Sequence, residues 1–229
     1  RQEGRLENKM EVAKNMLLNG IIEDVVMKCT GLTKEEISLV FWPDASIEES
    51  KFRFKNTMYR LRRALGKDCI VLVQNVYLFN NKVDYVYDVE LFLKENALAN
   101  QSQEIVQKLT HYREAIKYYR GNYLAEIDTT WALSPREYLR QIYLNILLQV
   151  SILYLEQSNF ELALEYCQRA ISEDNLLEDA YRLAMKIYAA MGNRAGLVQQ
   201  YQRCVEVMEQ EINATPSDQT HELLQSLLK

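Results

Sequence analysis

Residues 41–81 read FWPDASIEESKFRFKNTMYRLRRALGKDCIVLVQNVYLFNN, and this stretch decides the fold of the N-terminal part of the chain. Pro43 stops the helical pattern that precedes it, because proline lacks the backbone donor that a helix needs. Either Ser46 or Asp44 can cap a new helix, and Glu48 and Glu49 suit its first turn. We expect that helix to cover residues 47–65 and to end at Gly66.

A β-hairpin is predicted directly after this helix. Residues 69–81 are rich in Val, Ile, Tyr and Phe, with Gln74 and Asn75 as a turn between two short strands. Before residue 41, amphipathic patterns at 8–19 and after Thr33 predict earlier helices. Helices followed by a hairpin are the element order of a winged helix–turn–helix.

The helix predicted at 47–65 is strongly basic in a chain that is acidic overall. The chain carries a formal net charge of −5 with a pI of about 5.3, yet the segment KFRFKNTMYRLRRALGK contains no acid. Its cations are Lys51, Arg53, Lys55, Arg60, Arg62, Arg63 and Lys67. Helical spacing predicts a core-facing stripe of Phe54, Met58, Leu61 and Leu65, flanked by Phe52, Thr57 and Ala64.

The remaining surface of this helix has the chemistry of a DNA recognition helix. Arginine suits guanine edges and phosphates, asparagine suits adenine, and tyrosine donates to phosphate. We expect Arg53, Asn56 and Arg60 to lie nearest the bases. The residues expected to hold phosphates are Lys55, Tyr59, Arg62, Arg63 and Lys67. The alternative is a solvated basic face that binds nothing.

The chain after residue 88 is helical in pattern and contains a repeat of 34 residues. Tyr154, Asn159, Gln168 and Arg169 recur as Tyr188, Asn193, Gln202 and Arg203. This period and the helix–turn–helix pattern are typical of a tetratricopeptide repeat. Tyr154 and Tyr188 should therefore be buried at equivalent places. Ser134 and Pro135 are expected to open a long helix.

These patterns predict a mainly α fold, in which a winged helix–turn–helix with a small β-hairpin precedes an all-helical tetratricopeptide-like repeat domain. The domain boundaries are expected at 1–87 and 88–229.

Enzyme, metal and membrane functions find little support in the sequence. No phosphate-binding glycine loop occurs, and His111 and His221 lie near no nucleophile motif. The four cysteines form no CxxC pair, so we expect reduced thiols packed as small apolar residues. We predict no catalytic residue, metal or cofactor, no membrane contact, and a cytoplasmic location.

Several motifs in one order resemble the bacterial transcriptional activator family. The motifs are FWPDAS (41–46), YRLRRALG (59–66), VYLFNN (76–81), VDYVYDVELF (83–92), YRGNYL (119–124), SPREYLRQIYLNIL (134–147), LALEYCQRAI (162–171) and INATPSDQTHELLQSL (212–227). The resemblance covers about 39–229 and implies a response-regulator-type winged helix joined to a helical activator domain, with tandem binding to direct repeats. Residues 9–37 instead resemble the helical tail of transposase-type nucleases.

Two functions remain open on this basis. The first is a sequence-specific regulator that binds double-stranded DNA, with the helical repeats serving a homodimer, RNA polymerase or another protein. The second is a protein-interaction scaffold whose winged helix no longer binds DNA. The overall acidity and a hairpin without Lys or Arg before Lys82 favour the second.

Overall fold

The computed structural model describes residues 42–66, 70–73, 76–80, 82–84, 86–126 and 130–229. The helices predicted before residue 41, the Gln74-Asn75 turn and Lys67 lie outside these residues. Two compact units are present: the first includes the described residues up to Tyr87 together with Tyr123–Tyr138, and the second comprises Asp88–Asn122 and Leu139–Lys229.

Helix α1 covers Ile47–Leu65, as predicted, and its N-terminus is closed by a capping box. The Glu49 backbone N–H donates to the Ser46 hydroxyl at 3.3 Å, and the Ser46 backbone N–H donates to the Glu49 carboxylate at 3.1 Å. Hydrogen bonds from the Ser46 backbone and hydroxyl, aided by the charge of Arg53, lower the pKa of Glu49. Gly66 ends the helix with φ 99°, a value that side-chain-bearing residues rarely adopt.

The predicted hairpin follows α1. Strands β1 (Ile70–Val73) and β2 (Val76–Phe79) pair antiparallel, in a register that runs from Ile70 opposite Phe79 to Val73 opposite Val76. The Arg62 guanidinium donates to the Ile70 carbonyl at 3.3 Å, which ties the last turn of α1 to the first strand.

The chain beyond the hairpin is helical wherever the structure describes regular elements. The helices are α2 (Asp88–Gln101), α3 (Ile105–Tyr118), α4 (Thr130–Glu156), α5 (Phe160–Glu173), α6 (Glu178–Ala190), α7 (Arg194–Ile212) and α8 (Asp218–Leu228). Their core includes aromatic pairs: the Tyr119 and Tyr143 rings stack with centroids 3.9 Å apart. None of the described helices is both long and apolar enough to cross a bilayer.

The prediction that Ser134 and Pro135 open a helix is wrong. Helix α4 begins earlier, at Thr130, and Pro135 lies inside it. Proline costs least near a helix start, and sequence alone favours placing it in the first turn. Here Ala132 is fully buried, so packing of the preceding turn extends the helix beyond the start that proline suggests.

The 34-residue repeat is confirmed by matching turns between α4 and α5 and between α6 and α7. The Asn159 side chain accepts from Leu162 N–H, and the Asn193 side chain accepts from Gly196 N–H. The asparagine backbone N–H groups donate at 2.9 Å to the carbonyls of Tyr154 and Tyr188.

The positions just before these asparagines also correspond, because both have a left-handed backbone: Ser158 has φ 57° and Gly192 has φ 71°. The two helix pairs are therefore copies of one supersecondary unit.

The prediction that Tyr154 and Tyr188 are both buried at equivalent places is confirmed for their places but is wrong for the burial of Tyr188. Tyr154 is 8% exposed, whereas Tyr188 is only half-buried. The Tyr154 ring stacks on Tyr166 with centroids 5.7 Å apart, and the residue equivalent to Tyr166 in the second unit is Gln200. Tyr188 instead packs on Gly196, where an added Cβ would lie 2.7 Å from its ring.

Two cysteines, Cys167 and Cys204, lie in the part of the chain that the structure describes, and both are free and buried, as predicted. Cys167 donates to the Ala180 carbonyl at 3.0 Å, and Cys204 packs in the core. Burial raises the pKa of Cys167 to about 12 and that of Cys204 to about 11, so both thiols are protonated at neutral pH. Cys29 and Cys69 lie outside the described residues.

A polar cluster joins the last helix, α8, to α6. The Glu178 carboxylate accepts from the Ser217 hydroxyl at 2.7 Å and from the Thr220 hydroxyl at 2.5 Å, and Arg182 also donates to Thr220 at 2.9 Å. Burial alone would raise the pKa of Glu178, but the hydrogen bonds from Thr220 and Ser217 and the Arg182 charge outweigh it and lower the pKa.

We expect Glu178→Gln to destabilise the helical unit by about 1–3 kcal/mol at pH 7, because it removes charge-assisted hydrogen bonds. The folded pKa is lowered, so this stabilisation is present above the ordinary value of 4.5 and is lost as pH falls below it. Urea unfolding of both proteins at several pH values checks this. The exposed Glu206→Gln is the matched control. A difference between parent and Glu178→Gln that does not shrink in acid would contradict the assignment.

Candidate nucleic-acid interface

One side of α1 is partly buried, which anchors the helix in the fold. Phe54 is 5% exposed and Ser50 is 9% exposed, while Met58 and Leu61 are half-buried. Leu65 is 59% exposed, so the prediction that it belongs to the core stripe is wrong. Helical spacing gives the direction of a side chain but does not say whether another segment covers it, and the Leu65 side chain is left exposed.

Every described member of the predicted DNA-binding set is exposed. These residues are Arg53, Lys55, Asn56, Tyr59, Arg60, Arg62 and Arg63. Two of the basic residues also have partners in the chain: Lys51 pairs with Glu48 at 3.2 Å, and Arg62 bonds the Ile70 carbonyl. A guanidinium has five donors, so Arg62 keeps others for a phosphate.

The positions around the helix axis separate these residues into an outward centre and two flanks. At about 100° per residue, Asn56 and Arg63 lie roughly 160–180° from Phe54, and Arg60 lies about 120° from it. Arg53 and Lys55 lie about 100° from Phe54, on opposite sides. α1 therefore carries donors across the whole surface that is not anchored.

Two exposed aromatic residues share the outward side with these donors. Phe52 is 67% exposed and Tyr59 is 65% exposed, and they are two helical turns apart. The prediction that Phe52 flanks the core stripe is wrong, because a residue two positions before Phe54 lies about 160° away from it. The angular position was a signal available in the sequence, but the apolar character of Phe52 obscured it.

The hairpin offers no cation beside α1 in its described strands. Leu72 and Val73 of β1 are 53% and 49% exposed, and the exposed Lys82 follows the hairpin. In the described ranges, no three His, Cys, Asp or Glu side chains come together as a metal site.

A protein-family model described as bacterial transcriptional activator domain matches residues 87–228, which is more than half of the chain. The chain belongs to the bacterial transcriptional activator domain family. The family model describes a transcriptional activator domain rather than an enzyme, which agrees with the prediction that the chain is not an enzyme. The family resemblance seen in the sequence motifs is likewise confirmed.

A second family model matches the N-terminal segment. It describes the C-terminal helix–turn–helix domain of the Rpn/YhgA-like nuclease family and matches residues 6–41. This agrees with the resemblance of residues 9–37 to the helical tail of transposase-type nucleases. Among curated proteins, none matches the chain by sequence.

The fold is similar to a solved structure of Mycobacterium tuberculosis EmbR in complex with a low-affinity phosphopeptide. The TM-score is 0.67 at 11% identity, and the likeness covers 86% of this chain and 54% of the other. The chain therefore spans about half the length of that structure. The likeness confirms the predicted fold class, a mainly α chain with a winged helix–turn–helix and helical repeats.

Proposed function

We propose that this regulator binds double-stranded DNA sequence-specifically by placing α1 in the major groove. Arg53, Asn56 and Arg60 read base edges in this proposal. The phosphate contacts are Lys55, Tyr59, Arg62, Arg63 and Lys67. Residues 1–87 form the DNA-binding domain, and residues 88–229 form the helical domain that contacts a second copy, RNA polymerase or another protein. Such a protein acts in the bacterial cytoplasm, where the DNA is.

One observation carries the proposal: α1 is anchored through Phe54, and it exposes six cations and an asparagine with no acid after Glu49. A helix that is held on one side and basic elsewhere presents donors both to base edges and to the two phosphate strands that border the groove. The net charge of −5 does not oppose this, because binding requires one basic face rather than a basic protein.

Selection from random duplex DNA, followed by a titration against salt, tests the proposal. We expect one enriched motif and an affinity that falls steeply with salt, since each neutralised phosphate releases counterions. Lys55→Ala should weaken all duplexes about equally and lower the salt slope by about one. Asn56→Ala should instead relax preference at one or two positions, by about 1–3 kcal/mol.

Lys55 and Asn56 are a matched pair, because both are exposed and adjacent and neither has a role in the core. If no duplex is enriched and binding does not depend on salt, the protein is an interaction scaffold and its basic helix is a solvated face. If both variants behave alike, α1 binds DNA through phosphates only.

A further inference from the structure

On the outward side of α1, Phe52 is the most exposed residue with an apolar side chain. It is 67% exposed, it lies about 160° from the anchor Phe54, and it is flanked in sequence by Lys51 and Arg53. A phenyl ring neither donates nor accepts a conventional hydrogen bond. It therefore forms no hydrogen bond with a phosphate, whereas the other residues of the outward side have donors that can bind one.

The major groove contains one apolar feature among the base edges, the C5-methyl group of thymine. Phe52 precedes Asn56 by about one helical turn, so the two side chains point to the same side of α1. The outward side of α1 carries an apolar ring between hydrogen-bond donors. It is therefore complementary to a base step in which the ring faces a thymine methyl group and a donor binds the edge of the adjacent base. We infer that Phe52 is a specificity-determining residue that contacts a thymine methyl group; this rests on the proposed function.

Charge favours DNA over an apolar protein surface as the occupant of this side. A protein that covered Phe52 with apolar groups would also cover Lys55, its neighbour one helical turn along, and it would remove that charge from water without compensation. Lys55 is exposed in this structure, as is Arg53. In the major groove the neighbouring phosphates pair with the cations while the ring meets the methyl group, so both requirements are satisfied at once.

The test uses the duplex selected from random DNA, with each thymine replaced in turn by deoxyuracil, which lacks only the methyl group. At one or two thymines the parent should bind the uracil duplex about fourfold more weakly, the equivalent of about 0.8 kcal/mol for one buried carbon. Phe52→Ala should bind the thymine and uracil forms equally at those positions. Tyr59→Ala, which removes an exposed aromatic residue assigned to phosphate, is the comparison variant: it should weaken binding to the thymine and uracil forms alike and keep the fourfold ratio.

The outcomes separate this inference from the proposed function. A parent protein that binds the selected duplex but is indifferent to every uracil overturns the role of Phe52 and leaves DNA binding standing. A Phe52→Ala variant that keeps the fourfold ratio also overturns it. A parent that binds no duplex overturns both proposals. The uracil scan of the parent needs no variant, so a parent that is indifferent to every uracil overturns the role of Phe52 whether or not Phe52→Ala folds.

Discussion

Replacing Arg60 with glutamate should abolish specific DNA binding and leave the fold intact. Arg60 is exposed in the middle of α1, and no described intramolecular ion pair involves it. The substitution removes a base-edge donor, a loss of about 1–3 kcal/mol, and adds a carboxylate beside phosphates, which costs several kcal/mol more. We expect affinity for the selected duplex to fall at least a hundredfold.

Fluorescence polarisation at fixed salt measures this loss, and thermal unfolding shows whether the fold survives. Lys186→Glu is the matched control, because Lys186 is also exposed but belongs to α6 in the helical unit. It makes the same change in net charge far from α1 in sequence. If the Arg60→Glu protein binds as tightly as the parent, the scaffold function replaces the DNA-binding one.

The second large effect concerns stability and compares equivalent residues of the two repeats. Tyr154→Ala should cost about 3–5 kcal/mol, as large aromatic truncations in a core do, because the side chain is 8% exposed and stacked on Tyr166. Tyr188→Ala should cost less, because Tyr188 is less buried than Tyr154 and packs on Gly196, which has no side chain.

Urea unfolding followed by the helical circular dichroism signal compares the two variants directly. Each serves as the control for the other, because the chemical change is identical and the backbone positions are equivalent. We expect the packing partners of each tyrosine, rather than its place in the repeat, to determine how much it stabilises the fold. An equal loss of stability in the two variants, or a larger loss for Tyr188→Ala, would contradict this.

Local chemistry determined much of this fold, and it did so from the sequence. Ser46 and Glu49 close a capping box across three residues, and Gly66 ends α1 where its φ of 99° requires a glycine. Asn159 and Asn193 cap equivalent helices because an asparagine side chain reaches a backbone N–H three residues ahead. These interactions lie within one helical turn, so neighbouring residues are enough to predict them.

The candidate site was predicted in its composition but not in its arrangement. The basic residues and Asn56 are exposed, as spacing from Phe54 indicates. Spacing also predicts Leu65 in the core, although its side chain is 59% exposed in the structure. Phe52 was missed because its apolar side chain suggested the core, whereas its angle of about 160° from Phe54 pointed outward.

The features that only the tertiary structure determines are contacts between residues far apart in the chain. Thr220 donates a hydrogen bond to Glu178, 42 positions away in the sequence, and Tyr119 stacks on Tyr143. No local sequence pattern predicts either contact. Helix α4 begins at Thr130, before Pro135 and against the preference of proline for a first turn, and Ala132 in that additional turn is fully buried. Periodicity and capping determine which way a side chain points, whereas burial depends on which distant segment arrives to cover it.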